Sequence, residues 1–236
     1  MKRMKLGSLD CVVAGGTDRE GGGEGPVVVL LHGFGAGGDD LVGLWRALEV
    51  PAATRFVFPA APLVLAKNFM FEQRAWWMID MAALEAAMAS GSHRDMAKDV
   101  PEGLAAAREA VEGMLDAVQE TLRSPPGRLV LGGFSQGAML SLDVALRSDR
   151  KLAGLALMSG TLLCEDEWKA LMPARAGLAV MQSHGTVDPI LPFAAAEALR
   201  DLLSAAGLDV AFVPFRGAHE IPGPALAALG ALINAA

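Results

Sequence analysis

A short apolar segment, residues 128–132, runs straight into Gly133-Phe134-Ser135-Gln136-Gly137, and a helical pattern begins at once behind it. No other stretch limits the fold as strongly. A glycine on each side of the serine means a reversal from strand to helix too tight for a Cβ at either position. The rest of the chain repeats the alternation. Short apolar segments at 27–31, 55–58, 128–132, 152–158, 178–182 and 210–214 read as strands buried on both faces, after a first strand near 6–13 and a glycine-rich loop over 15–25. Between them, helical patterns fall at 40–48, 81–88, 101–122, 136–147, 165–171, 194–206 and 224–233. Strands alternating with helices imply an α/β fold with a mostly parallel sheet flanked by helices. With 236 residues, no repeat and no long linker, residues 1–236 are expected to form one domain.

In sheets of this kind, chemistry gathers at the carboxyl ends of strands. Ser135 lies there, and the helix behind it aims free N–H groups at the hydroxyl. The competing reading is a serine that merely caps the helix. A serine nucleophile needs a base oriented by a third group, and the chain order for this kind of turn is serine, acid, histidine. Of the four histidines, His32, His93, His184 and His219, only the last two follow Ser135. His219 follows the strand at 210–214, close to the end of the sequence, and is the expected base. Asp188 is the expected acid because it follows the 178–182 strand closely. Asp209 precedes its strand, and Asp143 and Asp201 fall within helical patterns. His184 shares a loop with Asp188 but precedes it, and is read as packed or hydrogen-bonded within that loop.

The segment Leu31-His32-Gly33-Phe34-Gly35-Ala36-Gly37-Gly38 contains G-x-G-x-x-G. A dinucleotide site would also need an acid about 20 residues on, at the end of the next strand. No Asp or Glu occurs between Glu49 and Glu72. Acyl transfer uses such a loop differently, because a tetrahedral oxyanion needs preorganised N–H donors. One donor is expected from Gln136, the residue after the serine, and the other from Phe34. Donation by backbone would leave both side chains free to vary.

Composition removes other classes. Lys and Arg number 20 against 27 Asp and Glu, a net charge of −7, which disfavours a nucleic-acid partner. Cys11 and Cys164 form no CxxC pair, so neither a disulfide framework nor a zinc site is expected, and a reducing, cytoplasmic location fits. No apolar run approaches the length of a membrane span, and neither a signal peptide nor a lipidation motif is recognised.

Together, His32-Gly33-Phe34-Gly35, Phe58-Pro59-Ala60-Ala61-Pro62, Gly133-Phe134-Ser135-Gln136-Gly137, His184-Gly185-x-x-Asp188 and Ala218-His219 resemble the phospholipase/carboxylesterase family. The resemblance implies an α/β-hydrolase fold without a separate cap domain. It implies a serine hydrolase cleaving carboxylic esters, thioesters or lysophospholipids through an acyl-enzyme on Ser135, with Asp188 and His219 completing a triad. Phe34 and Gln136 would be the oxyanion donors. No metal or organic cofactor is implied. The partner is a small-molecule ester or thioester, and a homodimer is compatible with the scaffold. The family's acyl-site region corresponds to the segment holding Trp76, Trp77 and Met78, where Met78 replaces a usual aspartate. These three and Leu191 are the expected substrate contacts, within an aromatic and methionine cluster that includes Phe69, Met70, Phe71 and Met81. A rival of another class is a catalytically silent relative that binds an apolar ligand or partner.

Overall fold

The computed structural model describes residues 1–67, 72–80 and 95–236. Its main sheet has eight strands: β1 (Lys2–Leu6), β2 (Leu9–Gly15), β3 (Val27–Leu31), β4 (Arg55–Pro59), β7 (Leu129–Phe134), β8 (Gly154–Met158), β9 (Ala179–Gly185) and β10 (Asp209–Phe215). The spatial order is β1-β2-β4-β3-β7-β8-β9-β10. β2 pairs antiparallel with both β1 and β4, and the remaining pairings are parallel. A separate hairpin, β5 (Leu63–Lys67) and β6 (Glu72–Ala75), stands apart from the sheet.

Alternation along the central strands divides the core between two faces. Val27, Val29, Leu31, Leu129 and Leu131 meet α2 (Leu104–Thr121), α3 (Gln136–Arg147), α4 (Glu165–Leu171) and α5 (Phe193–Ala205) on one side. Val28, Leu30, Phe56, Phe58 and Val130 meet α6 (Gly223–Asn234) and the region around α1 (Leu44–Ala47) on the other. After β3 the chain crosses to β4 on one side, and β7 later returns on the opposite side. The order therefore switches between β3 and β7, and the carboxyl ends of two such strands are where sheets of this kind bind their ligands. Ser135 and the 32–38 loop both begin there.

Several expectations need correction. The single strand at 6–13 is a hairpin whose turn holds Gly7 at φ +55°, where a Cβ would sit 2.8 Å from the Gly113 carbonyl oxygen. β1 was hidden because, as an edge strand, it alternates charged outward residues with inward apolar ones. The helix at 40–48 shrinks to Leu44–Ala47, since the N–H groups of residues 40, 42 and 44 bond three residues back in successive turns. The hairpin β5–β6 is absent from the pattern of buried strands because the apolar Leu63–Ala66 run of β5 is mostly exposed and β6 opens on Glu72-Gln73-Arg74. The helix expected at 81–88, together with Phe69, Met70, Phe71, Met81 and His93, lies outside the described residues.

α3 is buried along eleven of its twelve residues, so its one carboxylate must be paired. Asp143 Oδ2 accepts from Arg108 Nη1 at 2.8 Å, and Oδ1 accepts from Arg147 Nε at 2.8 Å and Trp168 Nε1 at 2.9 Å. This cluster ties α2, α3 and α4 together. Asp143→Ala would leave these donors unpaired and should cost about 3 kcal/mol, lowering Tm by roughly 6–12 °C. Thermal unfolding followed by circular dichroism checks this, and an unchanged Tm would refute it.

Candidate active site

β7 ends at Phe134, and Ser135 bridges it to α3 with φ 54° and ψ −117°, outside the regions that ordinary residues favour. Sterics explain how this turn is held. A Cβ on Gly137 would lie 2.1 Å from the Leu31 carbonyl oxygen, and one on Gly133 would lie 2.5 Å from the same atom. Ser135 N–H donates to the Met158 carbonyl at 2.8 Å, which pins the turn to β8. The hydroxyl-bearing residue thus stands above the sheet, beside the loop that leaves β3.

That loop is held from three directions. His32 is buried; its Nδ1 donates to the Gly33 carbonyl at 2.8 Å, and its Nε2 accepts the Ala61 N–H at 3.0 Å. The His32 carbonyl accepts Trp76 Nε1–H at 2.9 Å. The N–H groups of Gly35 and Ala36 bond to Arg74 and Gly33 carbonyls, while that of Phe34 has no acceptor among the described residues. Gln136 is the first residue of α3, so its N–H has no partner four residues back within the helix. Two amides expected to serve as donors therefore flank the serine turn. One part of that expectation is corrected, because the Gln136 side chain is not free to vary. Fully buried, it accepts Trp76 N–H at 3.0 Å through Oε1 and donates through Nε2 to the Trp77 carbonyl at 2.9 Å.

Asp188 and His219 come from the loops after β9 and β10. Gly185 lets these loops close, since a Cβ there would lie 2.2 Å from the Ala218 carbonyl oxygen. Backbone bonds join them, Thr186 N–H to the Phe215 carbonyl at 2.8 Å and Val187 N–H to the Gly217 carbonyl at 3.2 Å. His219 Nδ1 lies 2.7 Å from Asp188 Oδ2. Asp188 Oδ1 accepts N–H groups from Ile190 at 2.8 Å and Leu191 at 3.0 Å. Burial alone would raise the Asp188 pKa. The His219 hydrogen bond and charge, with the two amides, outweigh it and hold the carboxyl below its ordinary value. The His219 ring packs on Phe134, the residue before Ser135, with centroids 4.8 Å apart. His184 is bonded within the Asp188 loop, its Nε2 lying 3.0 Å from the Leu191 carbonyl oxygen.

The four expected substrate contacts separate. Trp77 and Met78 line a cavity of about 280 Å³ with Ile79, Met96, Met139 and Leu163. Met139 N–H bonds to the Ser135 carbonyl at 3.2 Å, which puts this cavity wall one helical turn from the serine. Met78 is 62% exposed at its rim. Trp76, 1% exposed, is instead packed in the core beneath the 32–38 loop, and Leu191, 5% exposed, is built into the Asp188 turn. Neither is among the residues lining the cavity. Burial pushes the Cys11 thiol up to about 12 and Cys164 up to about 11, so both stay protonated at neutral pH. Among the described residues no cluster of three or more His, Cys, Asp or Glu side chains could hold a metal ion, and no helix is long and apolar enough to cross a membrane.

A mostly parallel sheet with helices on both faces, a strained strand–serine–helix turn at its switch point and an acid–histidine pair on later loops define an α/β-hydrolase. The chain belongs to the phospholipase/carboxylesterase family, whose model matches residues 19–236. It is 28% identical over 199 residues to acyl-protein thioesterase 1 of Neurospora crassa, covering 80% of this chain and 78% of that protein. The corresponding protein of Eremothecium gossypii is 30% identical over 181 residues, covering 72% and 69%. Among solved structures, esterase PE8 superposes with a TM-score of 0.77 at 26% identity, covering 95% and 97% of the two chains. A carboxylesterase from Mesorhizobium loti shares the fold, with a TM-score of 0.71 at 16% identity over 99% and 96%.

Burial, partly offset by carbonyl acceptors and nearby carboxylates, holds His32 and His184 below the ordinary histidine value of 6.5. Just below that value the folded form binds fewer protons than the unfolded chain, so stability is full above it and declines as pH falls toward the folded pKa values. Calorimetry should show Tm dropping between about pH 7.5 and pH 5. A Tm constant over that range would mean that neither ring is held neutral.

Proposed function

We propose that this protein is a serine hydrolase that cleaves carboxylic esters or thioesters through an acyl-enzyme on Ser135. The observation that carries this reading is the Asp188–His219 pair, with Oδ2 and Nδ1 2.7 Å apart, whose imidazole packs on the residue beside the strained serine. With Nδ1–H donated to Asp188, His219 Nε2 carries the lone pair and is the base. It takes the hydroxyl proton as Ser135 Oγ bonds to the substrate carbonyl carbon. The electron pair displaced onto the carbonyl oxygen is met by the N–H groups of Phe34 and Gln136. When the tetrahedral intermediate collapses, the bond to the leaving alcohol or thiol breaks, and the imidazolium returns the proton to that group. Water then attacks the acyl-enzyme with the same proton transfers, releasing the acid and restoring Ser135. Asp188 stays ionised throughout and stabilises the imidazolium.

The cavity lined by Trp77, Met78, Met139 and Leu163 supports an apolar acyl group as the part of the substrate that is bound. The thioester side of the reading rests on similarity to acyl-protein thioesterases, and the ester side on similarity to an esterase and on the family itself.

Ser135→Ala and His219→Ala should each lower turnover of p-nitrophenyl acetate by at least about 10³-fold, and a fluorophosphonate probe should label wild type once per chain but not Ser135→Ala. Wild-type turnover no faster than that of Ser135→Ala would instead identify a silent binding protein. Met139→Trp should fill the cavity, leaving acetyl ester turnover within a few-fold of wild type while lowering kcat/KM for octanoyl esters by roughly tenfold or more. Equal losses on both esters would remove the cavity from the acyl site.

A further inference from the structure

We propose that His184 is a positioning residue that holds the Asp188 carboxylate in line with His219; this rests on the reading of Asp188 and His219 as acid and base. His184 is the penultimate residue of β9 and is completely buried. Its Nε2 lies 3.0 Å from the Leu191 carbonyl oxygen and 3.4 Å from Asp188 Oδ2. A carbonyl oxygen only accepts, so Nε2 carries the proton. Nδ1 is buried and makes no bond of good hydrogen-bond geometry among the described residues. The titratable groups that face it are Asp188 and His219, and its remaining surroundings include the Gly160 backbone and the Phe193 ring, whose centroid is 6.3 Å away.

The bonds form a continuous path from His184 to His219. His184 donates to the Leu191 carbonyl, the Leu191 N–H donates to Asp188 Oδ1, and Asp188 Oδ2 meets His219. The residue-191 segment is therefore gripped from both sides, by the strand below and the carboxylate above. Remove the imidazole and the Leu191 carbonyl loses its anchor, so the turn that aims Asp188 is free to shift. The 3.4 Å contact also sets an N–H dipole beside Oδ2, the same oxygen that meets His219. His184 touches neither substrate nor the reacting atoms. Its effect on the reaction passes through Asp188, so it should appear in kcat rather than in substrate binding.

The test compares His184→Ala, His184→Gln and His184→Asn, each assayed well below its own Tm. A glutamine Nε2 can replace the imidazole Nε2 donor, whereas an asparagine amide reaches only the Nδ1 position. His184→Ala should lower kcat by roughly 10–10²-fold with KM unchanged, as expected when a reacting group is misplaced. His184→Gln should recover most of that loss and His184→Asn should not. The downfield proton resonance of His219 Nδ1–H should persist in His184→Gln and weaken or shift in His184→Asn. If His184→Ala does not fold, the Gln–Asn pair decides. Equal kcat in those two folded variants, or a His184→Ala kcat within about twofold of wild type, would overturn the proposal. A role in stability alone would lower Tm and leave kcat and the resonance untouched. The outcomes also stay separate from those for the parent reading, since an active Ser135→Ala sinks both, whereas an inactive Ser135→Ala beside an unimpaired His184→Ala sinks only this one.

Discussion

The Leu31 carbonyl oxygen occupies the space that a side chain on Gly133 or Gly137 would need. This contact joins the carboxyl ends of β3 and β7, the two strands between which the sheet order switches. It forces the chain from strand to helix within one residue and leaves Ser135 in backbone torsions that few residues adopt. The strain is sustained because α3 behind the turn is buried almost completely and its one carboxylate is matched by two arginines and a tryptophan. Packing and a buried ion cluster thus hold a serine where the sheet alone would not.

Around that turn, hydrogen bonds reduce the freedom of each neighbouring loop. His32 ties the first loop to Ala61 and Trp76, and Gln136 ties the Trp76–Trp77 segment to the start of α3. On the other side, Gly185 allows the loops after β9 and β10 to meet, and Asp188 takes three close donors within them. Both buried histidines are favoured as neutral rings by desolvation, so instead of acting as charges, His32 serves as a directional donor and acceptor and His184 as a directional donor. Such preorganised polar groups lose little reorganisation energy when charge develops nearby.

How much was legible follows from the range of each signal. The central strands and the helices at 136–147 and 165–171 were readable, since periodicity and turn glycines act over a few residues. Asp188 and His219 could be singled out because each follows its strand, and position relative to a strand is a local property. Three features lay beyond local reading. β1 and β6 are rich in charged and polar residues, and the apolar Leu63–Ala66 run of β5 is mostly exposed in a hairpin apart from the main sheet, so none of the three reads as a buried strand. Trp76 resembles a pocket residue in sequence, yet its indole N–H is spent on the His32 carbonyl 44 positions away. Gln136 looks interchangeable in sequence, and only its contacts across 60 positions show otherwise.

The amino-acid order by itself determined the α/β alternation, the serine turn and the strand ends on which the acid and the histidine stand, because glycine sterics and apolar periodicity are short-range. Tertiary structure alone decided which nitrogen faces which oxygen. The Asp188–His219 approach, the placing of His184 beneath the same carboxylate and the separation of Trp77 and Met78 from Trp76 and Leu191 all depend on loops from different strands arriving together. Distances between such loops are set by the packing of the whole sheet, and no short stretch of sequence encodes them.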